Sequence, residues 1–130
     1  VRERIYVAAV CRCFPGSLAG GGDRVPNLRE IEVCEEWMAQ DFALLRPELV
    51  IAVGRLSISR FLQFKRLTEV IGEQHRTQRF GQRFDLLPLP HPSGASTWHR
   101  TEPGRTLLGR ALTRLAAHPA FRQALKNGAR

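Results

Sequence analysis

The chain is predicted to fold as an α/β protein: a three-layer α/β/α sandwich around a short, mainly parallel central sheet. Two observations predict this. Short apolar runs alternate with amphipathic, helix-period stretches along the 130 residues, the pattern of strands linked by crossover helices. One run, Leu49–Val53 (LVIAV), is apolar throughout and bounded by Pro47 and Gly54, as expected of a parallel strand buried on both faces. The length fits one domain, residues 1–130.

The elements follow in order. Residues 5–10 (IYVAAV) read as a first buried strand. Between Phe14 and Asn27, Pro15, Gly16, Gly20, Gly21, Gly22 and Pro26 make a long loop, a length that in compact domains goes with function or mobility. Asn27 followed by Glu30 has the spacing of a capping box. Ile31, Cys34, Met38, Phe42 and Leu45 then share one helical face up to Pro47. After the Leu49–Val53 strand, Gly54 opens a helix over residues 55–64. Residues 65–83 are basic and mixed, with a short helix or strand and a hairpin-like connection. Residues 85–89 (DLLPL) form a third strand. Leu107, Leu108, Ala111, Leu112 and Leu115 line a last helix between Pro103 and Pro119, with Phe121 and Leu125 anchoring a terminal turn. Ligands of such sheets bind beyond the carboxyl ends of the strands. That singles out residues 11–16, Gly54 and residues 91–96.

Charge narrows the partners. Twenty basic against 12 acidic residues give +8, which favours a polyanion such as DNA, although arginine bias in composition weakens the inference. No apolar run approaches the roughly 20 residues needed to span a bilayer, so no membrane partner is expected. Three cysteines, Cys11, Cys13 and Cys34, make a disulfide framework improbable.

The most informative stretch is His91-Pro92-Ser93-Gly94-Ala95-Ser96. Prolines on both sides of His91 restrict the backbone, and a histidine so held can donate a hydrogen bond to a developing oxyanion. The competing reading is an incidental surface histidine in a turn. Cys11-x-Cys13 with Cys34 suits metal or iron–sulfur ligation, but the spacing is poor for zinc. On spacing alone Cys34 reads as a small hydrophobe on a helix face. Gly20-Gly21-Gly22-Asp23-Arg24 lacks the Gly-Lys-Ser/Thr of a phosphate loop. Trp98 either stacks on a base or packs its loop onto the core. Arg110 and Arg114, one turn apart, read as a solvated face.

Taken in order, these motifs resemble the uracil-DNA glycosylase superfamily, especially its iron–sulfur-containing class. The matching segments are Val10-Cys11-Arg12-Cys13-Phe14-Pro15, Gly22-Asp23-Arg24-Val25-Pro26, Glu30-Ile31-Glu32-Val33-Cys34, Pro47-Glu48-Leu49-Val50-Ile51-Ala52-Val53-Gly54 and His91-Pro92-Ser93. The resemblance implies hydrolysis of the N-glycosidic bond of uracil flipped from DNA. His91 would stabilise charge on the departing base, and Pro92, Ser93, Gly94, Ala95 and Ser96 would press on the DNA strand. Cys13 and Cys34 would be two of four ligands of a structural 4Fe-4S cluster, with Cys11 a bystander. The remaining two ligands and the first catalytic motif would lie in an N-terminal segment outside this chain, making it the C-terminal part of the domain. Ala9 stands where the family has its base-reading Asn, and Ala95 where it has a wedge. The implied partner is DNA, and the implied location is cytoplasmic, at the nucleoid in a bacterium.

Two other classes compete. A catalytically silent nucleic-acid- or partner-binding module could retain the fold. A hydrolase with Ser93 or His91 as nucleophile is weaker, because Ser93 lacks a Gly-x-Ser-x-Gly elbow.

Overall fold

The computed structural model describes residues 4–94 and 96–126. The chain divides into two compact units, Tyr6–Arg46 and Pro47–Arg130, the latter with Val1–Ile5.

The Tyr6–Arg46 unit is built on α1 (Leu28–Leu45). Its capping box is formed in both directions. The Asn27 side chain accepts from the Glu30 backbone N–H at 2.9 Å, and Glu30 Oε2 accepts from the Asn27 N–H at 2.7 Å. Arg46, in the left-handed region at φ 44°, ends the helix just before Pro47, where a proline disfavours further helix. On the expected apolar face Ile31, Cys34 and Phe42 are buried, Met38 is half-buried and Leu45 is exposed. The glycine-rich loop is an ordered turn, with a bridge between Ser17 and Asp23 and a 2.8 Å bond from Arg24 N–H to Gly16 O. The expected strand at residues 5–10 is not formed. A strand needs a hydrogen-bonded neighbour, and among the described residues none pairs with this run, in which Tyr6, Val7, Ala8 and Ala9 are exposed.

The second unit carries the sheet. β1 (Leu49–Val53), β2 (His75–Arg79) and β3 (Gln82–Leu89) lie in the order β1-β3-β2. β1 and β3 are parallel, with Leu49 opposite Asp85 and Val53 opposite Leu89. β2 and β3 are antiparallel, because the two-residue turn at Phe80 (φ 51°) and Gly81 (φ 71°) can only reverse the chain. The parallel and antiparallel ladders each span five residue pairs, so the sheet is mixed rather than mainly parallel. β1 sits at its edge. Only Ala52 is fully buried there, which corrects the expectation of burial on both faces. The strand that is covered on both faces is β3, where consecutive residues Leu86, Leu87 and Pro88 are buried.

Helix α2 (Gly54–Ser59) is shorter than expected, and packs on β1 and β3. α3 (Gly104–Ala117) packs on β3, and α4 (Pro119–Lys126) packs on α3. Ile58, Val70, Ile71, Phe84, Leu86, Leu87, Ala111 and Leu115 form the core. Between the last two helices, His118 is buried and bonds Asp85 Oδ2 at 3.0 Å, while Arg76 donates to Asp85 Oδ1 at 2.8 Å. Both donors hold the Asp85 carboxyl below the usual aspartate value, His118 foremost. No helix among the described residues is long and apolar enough to cross a membrane.

Candidate functional site

Because β1 and β3 are parallel neighbours in register, their carboxyl ends finish side by side. The next residues of each strand therefore meet. A Cβ on Gly54 would lie 3.2 Å from His91 Cδ2 and 3.4 Å from His91 Cβ. Gly54 also has φ +84°, a conformation that costs a residue with a side chain. Two constraints thus select glycine beside the imidazole.

His91 is exposed. Its Nδ1 accepts the Ser93 backbone N–H at 3.1 Å. A ring nitrogen that accepts carries no proton in the neutral ring, so the proton sits on Nε2 and that atom is the donor. The local turn closes with a 3.1 Å bond from Ser96 N–H to Ser93 O. Pro92 and Gly94 are exposed, and Ser93 and Ser96 are half-buried. Ala95 lies outside the described residues. Trp98 packs inward: its carbonyl and ring leave no room for a Cβ at Gly104, in the first turn of α3.

The arginines divide differently from the charge count. Arg79 lies over the Phe80 and Phe61 rings at 4.9 and 5.8 Å and donates to Arg60 O. Arg110 and Arg114 both bond Glu73, at 3.2 and 2.8 Å. Arg79 and Arg83 flank the β2–β3 turn, at the opposite end of β3 from His91. At about 3.4 Å per residue the eight residues from Arg83 to His91 cover roughly 25 Å. Arg79 and Arg83 therefore do not stand beside the His-Pro-Ser loop.

A second site lies within the Tyr6–Arg46 unit. Cys11, Cys13 and Cys34, with Phe14, Pro15, Asn27, Arg29, Glu30 and Val33, line an open concavity of about 270 Å³. Arg24 braces two of its lining residues, donating to both Glu30 carboxylate oxygens at 2.6 and 3.1 Å and to Pro15 O at 2.8 Å. Cys34 is buried, Cys11 half-buried and Cys13 exposed. Cys34 Sγ accepts the Arg12 backbone N–H at 3.4 Å and lies 3.5 Å from Cys11 Sγ. That backbone N–H holds the Cys34 thiol below its ordinary range, while partial burial, then the Cys34 contact, pushes Cys11 up. Three sulfur-bearing side chains thus line one concavity. Among the described residues no group of three His, Cys, Asp or Glu side chains is arranged to hold a metal ion.

A family model described as "Uracil DNA glycosylase superfamily" matches residues 1–116. The chain belongs to that superfamily. It is similar to proteins named "Type-4 uracil-DNA glycosylase". The one from Archaeoglobus fulgidus is 24% identical over 97 residues, covering 71% of this chain and 46% of the relative. The one from Pyrobaculum aerophilum is 25% identical over 97 residues, covering 71% and 47%. The one from Saccharolobus solfataricus is 23% identical over 99 residues, covering 72% and 44%. The chain thus spans about half the length of the curated relatives it matches.

Within this glycosylase-superfamily chain, the motif reading anticipated the capping box and the position of His91 just after a strand. It missed three contacts: Gly54 on the His91 ring, Arg24 on Glu30, and Cys11 on Cys34. A glycine directly after an apolar strand signals the first. The Gly-Asp-Arg-Val-Pro run signals the second only by resemblance. No sequence signal marks the third.

Proposed function

We propose that this chain is the C-terminal part of a uracil-DNA glycosylase-like domain, and that the whole protein hydrolyses the N-glycosidic bond of uracil flipped from DNA. The supporting observation is His91, an exposed imidazole on a strand end, with Nδ1 occupied by Ser93 N–H and the proton on Nε2. In the reaction the bond from the sugar to the base breaks with its electron pair leaving on the base. Water supplies the new bond to the sugar carbon. His91 Nε2–H donates to the base O2 as negative charge grows there, and this contact strengthens toward the transition state. Pro92, Ser93, Gly94, Ala95 and Ser96 contact the DNA strand. Ala9 occupies the base-reading position, where a methyl group offers the base no hydrogen bond. The group that activates water, and the ring that stacks on the base, belong to an N-terminal segment of the same domain.

Cys13 and Cys34 would hold a 4Fe-4S cluster together with two ligands from that segment. The cluster would cross-link the fold. The exposed apolar residues Val7, Phe14, Val25, Leu28 and Val33 support a covering segment, and the same segment would complete the three-layer sandwich. A DNA substrate supports a cytoplasmic location, at the nucleoid if the source is a bacterium.

The test is single-turnover excision from uracil-containing DNA by the complete protein. His91→Ala is expected to slow it by roughly 10²- to 10³-fold with little change in DNA affinity. An unchanged rate removes the assignment. Ala9, which offers a base no hydrogen bond, favours a second reading, a catalytically silent nucleic-acid- or partner-binding module. Complete protein that binds DNA in a salt-dependent way but excises no base supports that reading instead.

A further inference from the structure

We propose that Cys11 and Cys34 are a redox pair that closes to a reversible disulfide by exchange with a low-molecular-weight disulfide. The resemblance made Cys13 and Cys34 two of four cluster ligands and left Cys11 a bystander. The geometry gives Cys11 a neighbour: its Sγ lies 3.5 Å from Cys34 Sγ. A bond of the normal length requires the sulfurs to approach by about 1.5 Å. Cys11 lies in irregular backbone and only half-buried, so rotation at its own side chain can supply that movement. Cys34 is fixed on α1. The open concavity gives a small disulfide access to Cys11.

The chemistry balances in two exchanges. The Cys11 thiolate attacks the small disulfide, forming a mixed disulfide and releasing one thiol. Cys34 then attacks Cys11 Sγ and releases the second. Two protein thiols lose two electrons and two protons in all, and the small disulfide becomes two thiols. A labile bond of this kind suits a reducing compartment, where disulfides are transient and regulatory. Cys34 is also a proposed cluster ligand, so disulfide and cluster would exclude each other and the pair would gate cluster loading. That consequence rests on the functional reading above; the disulfide itself does not.

The sequence makes the pair directly measurable. Arg12 separates Cys11 from Cys13, and trypsin cleavage after it places Cys11 in peptide 5–12, Cys13 in 13–24 and Cys34 in 30–55. The complete protein is isolated without oxygen, its iron is determined, and a portion is stripped with chelator. Both portions are treated with oxidised glutathione, alkylated, digested and analysed by mass. In stripped protein the expected product is peptide 5–12 linked to 30–55, reversed by dithiothreitol, retained in Cys13→Ser and lost in Cys11→Ser. A dominant link from 13–24 to 30–55, or glutathione adducts alone, overturns the pairing. In iron-loaded protein the same link is expected to form more slowly. Protein that takes up no iron defeats the cluster reading while leaving the disulfide result to stand or fall separately.

Discussion

The two units are held together by different physics. In Tyr6–Arg46 only Ile31, Cys34 and Phe42 are buried, and order comes from a capped helix and the Arg24–Glu30–Asn27 clasp. In the other unit Phe84, Leu86, Leu87, Ile58 and Ile71 are buried to 1% exposure or less, and the polar network at Asp85 is secondary. Apolar burial scales with area removed from water, whereas exposed ion pairs contribute little. The difference teaches where each proposed site gets its rigidity. His91 stands on a strand end backed by a packed core, while the cysteines stand on a segment with little core of its own.

Mutations sharpen this contrast. Phe84→Ala opens a cavity in the sheet core and is expected to cost about 3–5 kcal/mol in chemical denaturation. A loss near that of a surface substitution would break the contrast. Asp85→Asn is expected to cost about 1.5–3 kcal/mol at neutral pH, the range for hydrogen bonds to a charged group. It also carries a pH signature. The Asp85 carboxyl titrates below its ordinary 3.8 in the folded protein. Its contribution is therefore full above that value and is lost as pH falls through the lower, native one. The acid limb of the stability curve is expected to be shallower in Asp85→Asn, and an unchanged limb would show that Asp85 is not the titrating group.

Smaller effects test the site supports. Gly54→Ala is expected to cost about 1–2 kcal/mol from its left-handed backbone, and to shift the His91 ring resonances by NMR because the new methyl meets the imidazole. Unmoved resonances would mean the ring is placed by the Ser93 bond alone. Asn27→Ala removes the cap of α1 at a cost of about 1 kcal/mol. In a unit with so little core, that loss is expected to appear as faster amide exchange throughout α1. Exchange confined to the first turn would show that the unit is better supported than its burial suggests.

Local signals were legible where one segment decides its own conformation. The capping box, the stop at Pro47, the Leu49–Val53 strand and helix α3 between its prolines all follow from backbone chemistry within a few residues. The run at residues 5–10 misled because its apolar content is that of a strand, while strand formation depends on a partner that no local pattern supplies. β1 misled in a milder way: continuous apolarity says nothing about whether a strand lies at an edge.

What the sequence by itself determined is the alternation of elements, the turn at His91 and the family resemblance, all carried by residues near one another in the chain. Only the tertiary structure decided which residues meet. Gly54 lies against His91, 37 residues later in the chain, because two parallel strands end in register with Val53 opposite Leu89. Cys11 rather than Cys13 lies beside Cys34, where the Arg12 backbone N–H bonds Cys34 Sγ, with Cys11 half-buried and Cys13 exposed. Spacing along a chain limits which contacts are possible, but the direction of each side chain is set by the packing around it.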